Sequence, residues 1–338
     1  MSTTNTYGDL SPRTAGYAVR KLLERGQYAM VLERFGQTDP QGQHKTKTRK
    51  WRRYLSLPAA IAPLAEGISP AGQRLSYVDV TATLEQYGDM VKVSDVVMDT
   101  HEDPVLNETV KILGEQAAET VELLRFNVLK GGTNVYYPGT ATTRETVNSP
   151  VTRAVLRQVV RGFSRNKARR ISEIVKASAK ISTEPVASAY FAVCHTDLDS
   201  DIRGVVGFVP VEQYSNSDKA IPNEIGKVEN IRFVTSALLE PWLAAATSSS
   251  GSTYLTNGAS GTGYPDVYPI LVFARDAYAI VPLQGKNSVS IAVVNPKPVH
   301  GDELGQSGFA SWKTYQTGAI LNQLWMARVE VACTATPA

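Results

Sequence analysis

Seven apolar residues, Leu106, Val110, Leu113, Ala117, Val121, Leu124 and Val128, recur at spacings of three and four. That spacing draws one apolar stripe along an α-helix. Glu108, Glu115, Glu119, Glu122 and Arg125 fall off the stripe. Asp103 suits an N-cap and Pro104 the first helical position, while Gly131 and Gly132 supply the stop. About 27 residues at about 1.5 Å each make a rod of roughly 40 Å. A helix longer than the usual globular one must act as a spine for the rest of the chain.

What precedes the spine has little to bury by itself. In "RLSYVDVTATL", Val78, Val80, Ala82 and Leu84 alternate with Tyr77, Asp79, Thr81 and Thr83, as in a strand. "EQYGD" interrupts the pattern at Gly88, and "MVKVSD" resumes it with Val91 and Val93 on one face. Together these predict a long two-stranded excursion. An isolated ribbon is marginal in water, so something else must cover it. Residues 57–73, "LPAAIAPLAEGISPAGQ", hold three prolines and two glycines and predict an extended, irregular course. Residues 1–50 show one short helical pattern at 15–25 and otherwise read as an arm without a core.

Downstream, Val151, Val155, Val159 and Phe163 mark a second helix within 149–163, with Arg153, Arg157 and Arg161 on its other faces. A buried strand is expected at 186–195, further strands at 231–236 and 323–333, and strand character over 267–283 and 288–296, with a helix start at "TDLDSDIR" and a polar loop over 244–263. Arm, ribbon, long helix and then mixed strands and helices define an α+β chain.

Charge is distributed in blocks. Residues 1–55 carry 11 Lys/Arg against 4 Asp/Glu, and 56–150 carry 6 against 13. Residues 151–180 carry 9 against 1, and 181–338 carry 9 against 14. Within the first block, Lys45, Lys47, Arg49, Lys50, Arg52 and Arg53 fall inside nine positions with no acid among them. Such blocks pair within one chain or between neighbouring copies, or are solvated faces that cluster; either basic run can also meet phosphate non-specifically, and no base-reading motif accompanies them.

Catalytic and metal signatures are weak. Asp197, Asp199 and Asp201 open like a calcium loop, but Ile202 and Phe208 stand where the loop needs Gly and Glu, so capping is the better account. "GASGTG" lacks the Lys-Ser/Thr of a phosphate loop. Cys194 and His195 are neighbours in a strand and point to opposite faces. No catalytic residue, cofactor or metal is expected. Two distant cysteines imply reduced thiols, no run of about 18 apolar residues spans a membrane, and the N-terminus lacks a signal-peptide pattern.

The stretch "LPAAIAPLAEGISPAGQRLSYVDVTATLEQYGDMVKVSD" resembles the extended loop of tailed-bacteriophage major capsid proteins, and more specifically those of the N-four-like podophages. The resemblance continues through "DPVLNETVKILGEQAAETVELLR", "YFAVCHTDLDSDIR", "GKVENIRFVTS", "VYPILVFARDAYAIVPL" and "DELGQSGFASWKTYQTGAILNQLWMARVEVA". It departs at Thr196, where the family often has proline.

The resemblance implies the Hong Kong 97 fold: an N-terminal arm over 1–55, an extended loop over 56–95, and a peripheral domain with the spine over 96–185. An axial domain over 186–285 and C-terminal strands over 286–338, returning to the peripheral domain, complete it. It also implies a non-enzymatic virion protein that self-assembles into hexamers and pentamers around double-stranded DNA. Scaffold and portal proteins, and possibly a decoration protein, are the implied partners. Inter-subunit contact is expected at Lys45, Lys47, Arg49, Lys50, Arg52, Arg53, Tyr77, Val78, Val80, Leu84, Val91 and Val93. An encapsulin-like compartment shell and a sequence-independent nucleic-acid-binding protein are the alternatives.

Overall fold

A computed structural model describes residues 30–335, apart from 43, 62, 64–66, 68, 70–71, 97–104, 177–181, 215–220, 248–252, 257–258, 261–262, 284–288 and 299–302. The helix expected at 15–25 and the caps Asp103 and Pro104 lie outside the described residues.

In chain order, a 3-10 turn at Leu32–Arg34 leads to β1 (Gln37–Thr38) and β2 (Thr48–Tyr54). β3 (Tyr77–Thr83) and β4 (Glu85–Ser94) follow, then the spine α1 (Val105–Lys130). After β5 (Val135–Tyr136), the helix α2 (Arg153–Arg165) starts at Thr152, whose side chain accepts from the Val155 N–H. β6 (Ile171–Lys176), β7 (Ser182–Cys194), the short α3 (Asp199–Arg203), β8 (Phe208–Pro210), β9 (Glu224–Val228) and β10 (Ile231–Thr235) come next. The polar loop contains a small hairpin of β11 (Leu255–Thr256) and β12 (Ala259–Ser260). β13 (Val267–Phe273), β14 (Tyr278–Pro282), β15 (Val289–Val294), β16 (Ser307–Ile320) and β17 (Met326–Ala332) complete the chain.

An eight-stranded sheet forms the main core, ordered β5-β17-β13-β7-β10-β9-β8 with β6 beside β7. Every residue of β13 and β17 is buried, because both faces of the sheet are covered. Alternate residues serve opposite faces. Ile270 and Val272 pack with Val155, Leu156, Val159 and Phe163 of α2. Leu271 and Phe273 pack with Phe126 and Leu129 of α1 and with Val31, Leu32 and Phe35 of the arm. A five-stranded sheet is built on β16, which pairs with β4, β14 and β15. Val110, Leu113 and Ala117 of α1 lie on this second sheet against Ala310 and Trp312.

Three expectations change. The two alternating runs at 76–95 do not pair with each other: β3 pairs with β2, and β4 pairs with β16 from Ser94↔Ser307 to Glu85↔Gln316. Gly88 does not break its strand. It is the position where a Cβ would sit 2.5 Å from the Trp312 carbonyl oxygen, so glycine admits the neighbouring backbone. The apolar stripe of α1 also rotates. Val128 is 38% exposed, and Phe126 and Leu129 take its place because the helix leaves the second sheet for the first core along its length.

Candidate assembly surface

Two charged residues that fall off the apolar stripe of the spine are buried: Glu122 fully and Arg125 nearly so. Their partners come from the arm. The Val31 and Leu32 N–H groups donate to Glu122 Oε1 at 3.0 and 2.9 Å. Arg125 donates to Glu33 at 3.2 Å, and the Tyr278 hydroxyl donates to the Leu32 carbonyl. Phe35 stacks on Phe191 with centroids 4.7 Å apart. Burial holds the Glu122 carboxyl above its usual value, while Arg125 and the two N–H groups pull against that shift. The arm is thus seated on the spine from Val31 onward, and β1 runs parallel to β14.

From this anchor the chain enters the ribbon. β2 and β3 are antiparallel with Trp51 opposite Val80, Arg52 opposite Asp79 and Tyr54 opposite Tyr77. Directly opposed residues share a face. On one face Asp39 accepts from Arg49 Nε at 2.9 Å, Arg49 Nη2 at 2.6 Å and Trp51 Nε1 at 2.9 Å, tying the ribbon to the arm. On the other face Asp79 accepts from Arg52 Nε at 2.8 Å and pairs with Lys50 at 2.8 Å. Those hydrogen bonds, Arg52's first, hold the Asp79 carboxyl far below the usual carboxylate range. The Arg52 guanidinium also lies 4.1 Å from the Tyr77 ring centroid.

Much of the predicted basic run is therefore matched within its own chain. Arg49 is committed to Asp39, and Lys50 and Arg52 to Asp79. Lys45 and Lys47 are exposed, Lys47 lying 3.9 Å from Glu85, and Arg53 is half-buried. Among the apolar candidates, Tyr77, Val78 and Val91 are exposed and Val80 is half-buried. Leu84 and Val93 are buried by this chain itself, since their alternation points them inward, and so offer a neighbour little surface.

The sequence reading did not single out the apolar residues at the far end of the ribbon. Leu55, Leu57, Ile61 and Leu75 are exposed, Ile61 at 88%. With Tyr54 and Tyr77 they make this end of the ribbon rich in exposed apolar side chains. The available signal was Leu57, Ile61 and Leu64 interleaved with Pro58 and Pro63.

The two cysteines and the Asp197–Asp201 cluster are all held in structural contacts. Burial pushes the Cys194 thiol far up and the Cys333 thiol up to about 12, so neither is a ready thiolate. His195 accepts from the Asp197 N–H, and the Tyr268 hydroxyl donates to Asp197 at 2.8 Å. Asp199 pairs with Arg203 and Asp201 accepts from the Thr334 N–H. Among the described residues no group of three His, Cys, Asp or Glu is placed to hold a metal, and no helix is long and apolar enough to cross a membrane.

A spine helix lying across two sheets, a tethered arm and a projecting ribbon define the Hong Kong 97 type of capsid fold. The capsid protein of Ralstonia phage GP4 shares it with a TM-score of 0.66 over 98% of each chain, at 11% identity. The head protein of Helicobacter pylori bacteriophage KHP40 gives 0.60 over 88% of this chain and 87% of that one, at 9% identity. The SrpI encapsulin of Synechococcus elongatus PCC 7942 gives 0.51 over 98% and 92%, at 13% identity. No curated protein matches the chain. The model of the phage capsid protein family matches residues 77–326, and the chain belongs to that family. It is a structural virion protein, a self-associating major capsid subunit of the icosahedral head shell, and not an enzyme.

Proposed function

We propose that this subunit closes into hexamers and pentamers around double-stranded DNA, with its ribbon laid over the adjacent copy. The observation that carries the reading is the ribbon itself. Among the described residues its two strands pair only with each other, and the apolar side chains at its end are exposed. A two-stranded ribbon becomes stable when another surface buries one face. Apolar side chains at its tip supply the contact energy. Lys45 and Arg53, which no carboxylate pairs with among the described residues, and the exposed Lys47, 3.9 Å from Glu85, steer the approach.

Within this reading, arm, extended loop, peripheral and axial domains follow the boundaries 1–55, 56–95, 96–185 with 286–338, and 186–285. The β2–β3 pairing supports starting the loop earlier, at Thr48. The ordered set of similar stretches supports placing the chain with the N-four-like podophage capsid proteins. Scaffold and portal proteins are the partners such a shell requires, and a decoration protein is a further candidate. The family match supports a phage head over an encapsulin compartment.

Negative-stain microscopy of the purified protein, alone and with its scaffold, tests this reading. Shells or capsomers are expected. A monomer under every condition, with the ribbon tip protected on its own chain, would refute it.

A further inference from the structure

Helix α2 carries arginines at 153, 157, 161 and 165, each four residues from the next. Four residues advance an α-helix by about 6 Å, so these side chains form one row of roughly 18 Å. The row is treated unevenly. Glu229 accepts from Arg153 Nε at 2.6 Å and Arg157 Nε at 2.9 Å, which anchors the first two to the sheet beneath. Arg161 and Arg165 are exposed, and among the described residues no carboxylate pairs with them. The turn after the helix adds Lys167, Arg169 and Arg170, all exposed. Arg275 joins them, because its N–H donates to the Arg169 carbonyl at 2.9 Å. Only Asp276 lies close among the described acids, 3.8 Å from Arg275.

This edge differs from the ribbon in a way that decides its partner. No large apolar side chain is exposed between Arg153 and Arg170, whereas the ribbon crowds Leu55, Leu57, Ile61, Leu75, Tyr77 and Val78 together. Interfaces between proteins have an apolar core from which charge is depleted. Interfaces with DNA are polar and strongly cationic. A row of exposed guanidiniums with no apolar centre and no base-reading motif matches a phosphate backbone read without sequence.

We propose that the C-terminal end of α2 and the turn after it, Arg161 to Arg170 with Arg275, form the surface through which this subunit contacts double-stranded DNA. The inference rests on the reading of the chain as a DNA-enclosing shell and adds the residues that meet the phosphates. Contacts are non-specific, charge-driven and repeated once per subunit.

The test separates DNA contact from assembly. Binding of the full-length protein to a short mixed-sequence duplex is measured across a salt series for wild type, R161Q/R165Q, R161K/R165K and the five-site glutamine variant that adds positions 167, 169 and 170. Each lost phosphate contact removes about 0.9 from the slope of log affinity against log salt. The slope is therefore expected to become shallower by roughly 2 in R161Q/R165Q and by roughly 4.5 in the five-site variant, and to stay near wild type in R161K/R165K. Shell formation, scored by microscopy on the same samples, is expected to be unchanged.

A wild-type slope in R161Q/R165Q overturns the proposal whether or not shells form. If shells also fail, the edge is a contact between copies instead. Should the five-site variant not fold, the two-site pair still decides, since both side chains are exposed. Wild-type protein that never assembles refutes the shell reading independently of the slopes.

Discussion

The N–H of Leu32 donates to the buried Oε1 of Glu122 at 2.9 Å, across ninety positions of sequence. The same oxygen takes the N–H of Val31, and Oε2 has no hydrogen-bond partner. One carboxylate thus holds the arm on the spine.

Removing that acceptor should release the arm. Glu122→Ala leaves two N–H groups without a partner, each costing about 1–3 kcal/mol when buried. A loss of about 2–4 kcal/mol in chemical denaturation is expected, with faster proteolysis N-terminal to Gln37. Unchanged stability would mean that the Arg125–Glu33 pair, Phe35, Tyr278 and the β1–β14 pairing hold the arm without Glu122.

The same site gives a pH dependence of defined sign. Burial raises the Glu122 carboxyl above its ordinary 4.5, against the pull of Arg125 and with a small push from Glu33. The folded state therefore binds the proton more tightly than the unfolded chain. The group's contribution to stability is complete below pH 4.5 and falls as pH rises through the raised folded value. A proton on Oε2 leaves Oε1 free to accept both N–H groups. Glu122→Gln, which mimics the protonated form, should flatten that part of the pH–stability curve. An identical slope in wild type and variant would contradict this.

Much of the spine was legible in the sequence, and its limits are instructive. Val110, Leu113, Ala117 and Val121 are buried as their spacing requires. Glu122 and Arg125 fall off the apolar stripe and nothing local marks them as buried charges, because their partners lie about ninety residues away. β16 went unrecognised as a strand although its burial alternates. Its inward positions include Gly308, Ala310, Thr314 and Gln316, so the period of two carries little hydropathy contrast. The ribbon's strand partners were misread for a related reason: alternation predicts a strand but not what it pairs with.

Leu113 is buried where α1 crosses Ala310 and Trp312. Leu113→Ala should cost about 2–5 kcal/mol, read as a shift of the denaturation midpoint. Folding with unchanged stability would show that the stripe is not packed.

Gly88 faces the backbone of its partner strand, with the Trp312 carbonyl 2.5 Å and Lys313 Cα 3.2 Å from where a Cβ would sit. Backbone cannot swing aside as a side-chain tip does. Gly88→Ala should therefore force β4 away from β16 and destabilise the subunit by about 1–3 kcal/mol. Faster amide exchange in Val91 and Val93 than in β13 would locate the damage, and wild-type exchange there would dismiss it.

The ribbon tip should govern assembly without governing the subunit fold. Leu57 and Ile61 are exposed at 49% and 88%, so serine at both removes no intramolecular packing of note. The melting temperature of Leu57→Ser/Ile61→Ser subunits should stay close to wild type. Shell yield by sedimentation should fall severely, because the apolar area meant for a neighbour is gone. Neutralising Lys45, Lys47 and Arg53 should instead slow assembly and make it less sensitive to salt, since exposed charges act mainly on approach and are screened beyond about 8–10 Å. Lys50 and Arg52 are already satisfied by Asp79, so their replacement by glutamine should matter less than the same change at Arg53. Normal shell yield from the Leu57→Ser/Ile61→Ser protein would show that the tip lies free in the shell and that adjacent copies are joined elsewhere.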